Sequence, residues 1–169
     1  MALQRRSRKF RADPGPNFLA VLALLVLGLG GPLGAATTER VVNDIHTGLA
    51  ISGFDPVAYF TEAKPIAGKP DYEISFEDVV WRFRSEGNRA AFKENPAVYQ
   101  PRYGGHDPVA VAVARGVALD GNPLLWAISG DRLYLFYNEN ARLAFIANPE
   151  STIAAADGRW QEVLQELTN

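Results

Sequence analysis

Six residues, Gly53-Phe54-Asp55-Pro56-Val57-Ala58, return 52 positions later as Gly105-His106-Asp107-Pro108-Val109-Ala110, with five of the six identical. A second correspondence follows in the same order at an offset of 53, residues 81–96 against 134–149. There Phe83, Glu86, Arg89, Ala91, Phe92, Asn95 and Pro96 recur as Phe136, Glu139, Arg142, Ala144, Phe145, Asn148 and Pro149. One small loop insertion accounts for the change of offset. Repetition at a fixed period constrains a fold more than any composition figure, because both copies must reach the same local solution. Residues 53–99 and 105–152 therefore read as two copies of one unit. A unit of this size is near the lower limit for folding alone, which favours two copies packed as one small domain.

Each copy has the same local grammar. Asp55-Pro56 and Asp107-Pro108 are helix starts, with aspartate capping free amides and proline in the first turn. Gly116 is a natural stop for the second of these helices. Two strands joined by a tight turn follow, at residues 72–76 and 79–84 in one copy and 124–129 and 132–137 in the other. Alternation of Val80, Arg82 and Arg84 with Trp81 and Phe83 is the period of a strand with one dry face. Each hairpin enters a helix, residues 86–94 and 139–147, capped by Ser85 or Asn138 and closed by Asn-Pro. Helical spacing of Ile153, Trp160, Val163, Leu164 and Leu167 adds a C-terminal helix over 152–167. The expected fold class is α+β: two tandem β-hairpin–helix units packed as one domain, plus that helix.

Residues 1–36 read differently. Five basic residues (Arg5, Arg6, Arg8, Lys9, Arg11) precede an apolar run over 18–29, and small residues close the segment at Gly34, Ala35 and Ala36. That is the pattern of a cleavable secretory signal peptide, with the cut after Ala36. The run is short against the ~20 apolar residues of a membrane span, which disfavours an uncleaved anchor. Arg5-Arg6 also admits a twin-arginine route, although Ser7, Arg8 and Lys9 separate the pair from Phe10. The expected location is the periplasm, with membrane contact only during export. The 169-residue chain has a formal charge of −2, but the part beyond Ala36 has 12 basic and 18 acidic residues, a net of −6. Such a chain repels polyanions, so nucleic acid is not an expected partner. The absence of cysteine removes disulfides, thiolate metal sites and cysteine nucleophiles together.

The run from Ala50 through Gly53-Phe54-Asp55-Pro56-Val57-Ala58-Tyr59-Phe60 resembles the opening of exported YHS domain proteins. Asn88-Arg89-Ala90-Ala91-Phe92-Lys93-Glu94-Asn95-Pro96, the later Tyr99, Pro101, Tyr103, Gly104 and Gly105, and Gly130-Asp131-Arg132-Leu133-Tyr134-Leu135 are similar to that family too. The resemblance extends from about Val42 to Trp160. It implies a module usually described as metal-binding through two cysteine pairs. Aligned on this chain, the first pair falls on Asp55 and Ala58 and the second on Arg84 and Asn88. In the second copy the positions are Asp107, Ala110, Tyr137 and Ala141. His106-Asp107 stands where exported members often carry tyrosine-cysteine. A soft-metal site of that type cannot be built from these residues.

Two chemical readings remain. In one, a divalent transition metal binds at His106 and Asp107, with His46 or Asp55 as further ligands. Against it, Asp107 has a capping role like that of Asp55, and His106 becomes a surface turn residue. In the other, a groove between the copies takes a small ligand, with Arg84, Arg89, Tyr103 and His106 as candidate contacts. No nucleophile elbow or phosphate-cradling glycine loop is present, and the serines fall at turns, caps and strand ends, so an enzyme is not expected. The reading that results is a non-enzymatic, cofactor-free module whose partner is a small molecule or an envelope protein. N-terminal sequencing of protein recovered from the cell envelope should begin at Thr37. A chain starting at Met1 in the membrane pellet would instead identify residues 1–36 as a retained anchor.

Overall fold

The computed structural model describes residues 40–113 and 118–168. Residues 1–36, for which an export signal is expected, and Gly116 lie outside them. Strands β1 (Lys69–Phe76) and β2 (Val79–Phe83) form one antiparallel hairpin, and β3 (Asn122–Ser129) and β4 (Arg132–Phe136) form another. The turns are Glu77-Asp78, at φ 52° and 62°, and Gly130-Asp131, at φ 55° and 56°. Positive φ at both central residues matches the right-handed twist of a hairpin. β1 and β3 begin earlier than the alternation suggests. Lys69 still pairs with Phe83 and Asn122 with Phe136, but the next partners are Glu73–Arg82 and Trp126–Leu135. The chain between bulges outward, so an extended pairing is invisible to a strict two-residue period.

Between strands and helices the local signals are met. The Ser85 side chain accepts from the Asn88 amide, and that of Asn138 from the Ala141 amide. These cap α2 (Glu86–Glu94) and α5 (Glu139–Ala147). After Asn95 comes the single turn α3 (Pro96–Tyr99); after Asn148 comes α6 (Pro149–Leu167). Proline at the first helical position starts α6 three residues before the expected boundary. The Asp-Pro starts yield only short helices, α1 (Ala58–Thr61) and α4 (Pro108–Ala112). The result is a small α+β fold with two hairpins and a long C-terminal helix.

Two hydrophobic clusters make the interior. The first gathers Ile51, Tyr59, Trp81, Phe83 and Phe92, with the Phe92 ring 5.1 Å from Trp81 and 5.2 Å from Phe83. The second gathers Tyr103, Val111, Tyr134, Phe136 and Phe145, and is covered by Ala156, Val163 and Trp160 of α6. β4 joins them. Leu133 and Leu135 pack into the first cluster, while Tyr134 and Phe136 pack into the second. The shared core is therefore one strand buried on both faces. A further tie is the Tyr59 hydroxyl, which donates to the Pro123 carbonyl at 2.9 Å.

Each hairpin is docked through a glycine that sits against the opposite strand. The Gly68 amide donates to the Gly53 carbonyl at 2.9 Å, and the Gly121 amide to the Gly105 carbonyl at 3.0 Å. A β-carbon on Gly68 would lie 2.5 Å from Arg82 Cβ; on Gly121 it would lie 2.5 Å from both the Gly105 oxygen and Leu135 Cβ. Gly68→Ala and Gly121→Ala should each cost about 1–3 kcal/mol, the scale of overpacking a rigid contact. Gly158→Ala, with open space around it, is the control in the same urea titration.

Candidate functional site

The polar centre of each half is one buried aspartate. Asp55 and Asp107 are 0% and 1% exposed. One Asp55 oxygen accepts from the Val57 and Ala58 amides, at 2.8 and 3.3 Å. The other accepts from the Arg84 amide at 2.8 Å and the Asn88 side chain at 2.7 Å. Asp107 repeats the arrangement: Val109 and Ala110 amides on one oxygen, and the Tyr137 amide at 2.9 Å on the other. Each carboxylate thus caps its own turn and clamps the corner where a hairpin enters a helix. Asp55, Arg84 and Asn88 are three of the positions that the family resemblance assigns to metal ligands. Here they meet through hydrogen bonds, with backbone and amide donors around one carboxylate.

The four residues of the metal reading are not gathered. His46 is exposed on a turn whose Asp44 carboxylate accepts from the Thr47 hydroxyl at 2.9 Å and amide at 2.8 Å. Those bonds hold the Asp44 carboxyl below its ordinary range. The expected surface position of His106 is corrected: it is 1% exposed, with Nδ1 3.5 Å from Asp120 Oδ1 and its ring 6.0 Å from Trp160. It stands where the first half has the half-buried Phe54, and in the second half Trp160 of α6 packs against it. Among the described residues, no group of three or more His, Cys, Asp or Glu side chains is arranged to hold a metal ion.

The four residues of the small-ligand reading are not brought together: Tyr103 and His106 share one place, while Arg84 and Arg89 lie apart from them and from each other. Tyr103 and His106 both pack on Trp160, the Tyr103 ring at 5.5 Å. The Tyr103 hydroxyl donates to Asp157 Oδ1 at 3.0 Å, which also takes Arg102 at 2.6 Å. Burial, then Asp157, pushes the Tyr103 phenol well above its ordinary value. In front of Trp160 lies a groove of about 260 Å³ between the first hairpin, the linking segment and α6, reached by Arg40, Glu77, Trp81, Gln100 and Leu164; among the described residues none of the second copy, 105–152, lines it. Gln100 donates to Glu77 across it at 3.0 Å. Arg84 does not reach this groove. It lines a second cleft of about 570 Å³ with Glu62, Lys64, Lys69, Tyr72 and Ser85, and its guanidinium pairs with Glu62. Arg89 lines neither cleft; it pairs with Glu86 one turn earlier on α2, at 2.7 Å. Arg40, Glu77, Gln100 and Lys64, in turns and loops, and Lys69, at the start of β1, carry no sequence signal for a site, since their proximity depends on chain crossing.

Protein-family models, curated proteins and solved structures return no match to this chain. Among the described residues no helix is long and apolar enough to cross a membrane.

Replacing Asp55 with alanine strips an acceptor from four donors. It should cost about 3 kcal/mol or more, the scale for polar groups left buried without partners. Asp55→Asn, which turns a donor toward other donors, should recover only part of this. Urea unfolding checks both, with the exposed turn variant Asp78→Asn as the near-neutral reference.

Proposed function

We propose that this protein is an exported, non-enzymatic binding module that takes a small ligand in the groove between its first hairpin and its C-terminal helix. The observation that carries the reading is the composition of that groove. Trp160 and Leu164 of α6, Trp81 of the first hairpin, and Gln100 with Gly104 of the linking segment all border it, together with Arg40 and Glu77. Apolar faces interleaved with polar groups of opposite sign can both enclose and orient a small molecule, and the volume falls just below the common range of such sites. A non-catalytic role is supported by the use of the buried acids, since the oxygens of Asp55 and Asp107 are occupied by capping and clamping bonds. Export is supported by the pattern of residues 1–36. The recurrence of the same hydrogen bonds at offsets of 52 and 53 supports internal duplication as the origin of the two halves.

Native mass spectrometry of the protein from its own envelope should retain a small molecule at unit stoichiometry. Rebinding of that molecule should shift tryptophan fluorescence and raise the melting temperature. Glu77→Gln and Arg40→Gln, both outside the core clusters, should weaken it about tenfold, the scale of one charge-assisted hydrogen bond. Unchanged binding in both variants would move the site elsewhere.

A further inference from the structure

The second cleft has a charge opposite to that of the chain around it. Lys64, Lys69 and Arg84 line it, against the single acid Glu62, on a chain whose residues beyond Ala36 sum to −6. Solvated surface lysines are the ordinary explanation for such groups, and the second half of the molecule tests it. It carries the same strands, bulge and helix, with Lys69, Tyr72, Arg84 and Ser85 matched by Asn122, Leu125, Tyr137 and Asn138. Tyr137 stands 55% exposed where Arg84 is drawn into the cleft by its pair with Glu62. The fold therefore does not require basic residues at Lys69 and Arg84.

Arg84 is also anchored at both ends. Its amide is held by the buried Asp55 carboxylate, and its guanidinium by Glu62. A guanidinium has five N–H donors, more than one carboxylate can satisfy, so a fixed arginine remains able to meet a second oxyanion. Ser85 beside it caps the nine-residue helix α2, whose N-terminal dipole has the same sign. The half-buried Tyr72 ring gives the cleft an apolar wall.

We propose that the cleft bounded by Lys64, Lys69, Arg84 and Tyr72 is an anion site for a small organic molecule bearing clustered oxyanions, either phosphate or carboxylate. It is separate from the groove in front of Trp160 and does not depend on that groove being occupied. Lys64 and Lys69 supply mobile charge, Arg84 supplies the fixed directional contact, and Tyr72 covers the organic body.

Calorimetric titration of the exported protein with citrate, glucose 6-phosphate and inorganic phosphate tests this. At least one of the two organic anions should bind at low ionic strength. Its affinity should fall steeply toward about 0.5 M salt, where the Debye length is roughly 4 Å. The preferred organic probe distinguishes carboxylate from phosphate chemistry. Lys64→Gln with Lys69→Gln should weaken binding at least tenfold without changing the melting temperature of the unliganded protein, since both lysines are exposed. Arg84→Gln should weaken it further, because Glu62 is then left to repel the anion. Arg40→Gln, in the other groove, should leave it intact. No binding of either organic anion, equal binding by the double lysine variant, or loss on Arg40→Gln would overturn the proposal. Inorganic phosphate binding as tightly as the organic anions would overturn the role of Tyr72.

Discussion

One buried carboxylate in each half holds the architecture together. A charge at 0% or 1% exposure is tolerable only when its oxygens are surrounded by donors. Asp55 has four and Asp107 three, drawn from two stretches about thirty residues apart. The bonds fix the turn after the repeated glycine and the corner after each hairpin in a single relation. The packing of Phe92 and Phe145 against their strands follows from that corner, and so does the direction in which α2 and α5 leave the sheets. Asn88 gives the first half a side-chain donor, where the second half has Ala141. The second clamp is the simpler of the two.

The same backbone solution supports different surfaces. In the first half β1 displays Lys69, Asp71 and Glu73, charges that blunt an exposed strand, and Lys69 also lines the basic cleft. In the second half β3 carries no charge, β4 is buried on both faces, and α6 covers the outer cluster. His106 and Asp120 occupy a bridge that Phe54 and Ala67 make in the first half. Duplication of a unit, as proposed here, would free one copy to serve as core while the other presents chemistry. Both candidate clefts draw on first-half residues, which accords with that division.

Much of the fold was legible along the chain because it rests on local physics. Ser85 and Asn138 act as caps, Glu77-Asp78 and Gly130-Asp131 make the hairpin turns, and α2 and α5 end at Asn-Pro. These features depend on residues within a few positions of one another. The strand starts at Lys69 and Asn122 were not legible, because a bulge breaks the two-residue alternation. Nor was the burial of His106, since a glycine-flanked histidine before Asp-Pro looks like any exposed turn. Its fate depends on Trp160, more than fifty residues away.

The candidate site divides along the same line. Sequence alone determined the repeat, the α+β class, the two capping aspartates, and the lack of thiolate chemistry. All of these are properties of residue type at short or periodic spacing. Tertiary structure decided that Arg84 and Arg89 part company, that Tyr103 and His106 meet behind Trp160, and that Lys64 and Lys69 join Arg84 in one cleft. Such outcomes depend on how bulged strands and an added helix fold back on each other, and neither repeat period nor local propensity encodes the crossing points.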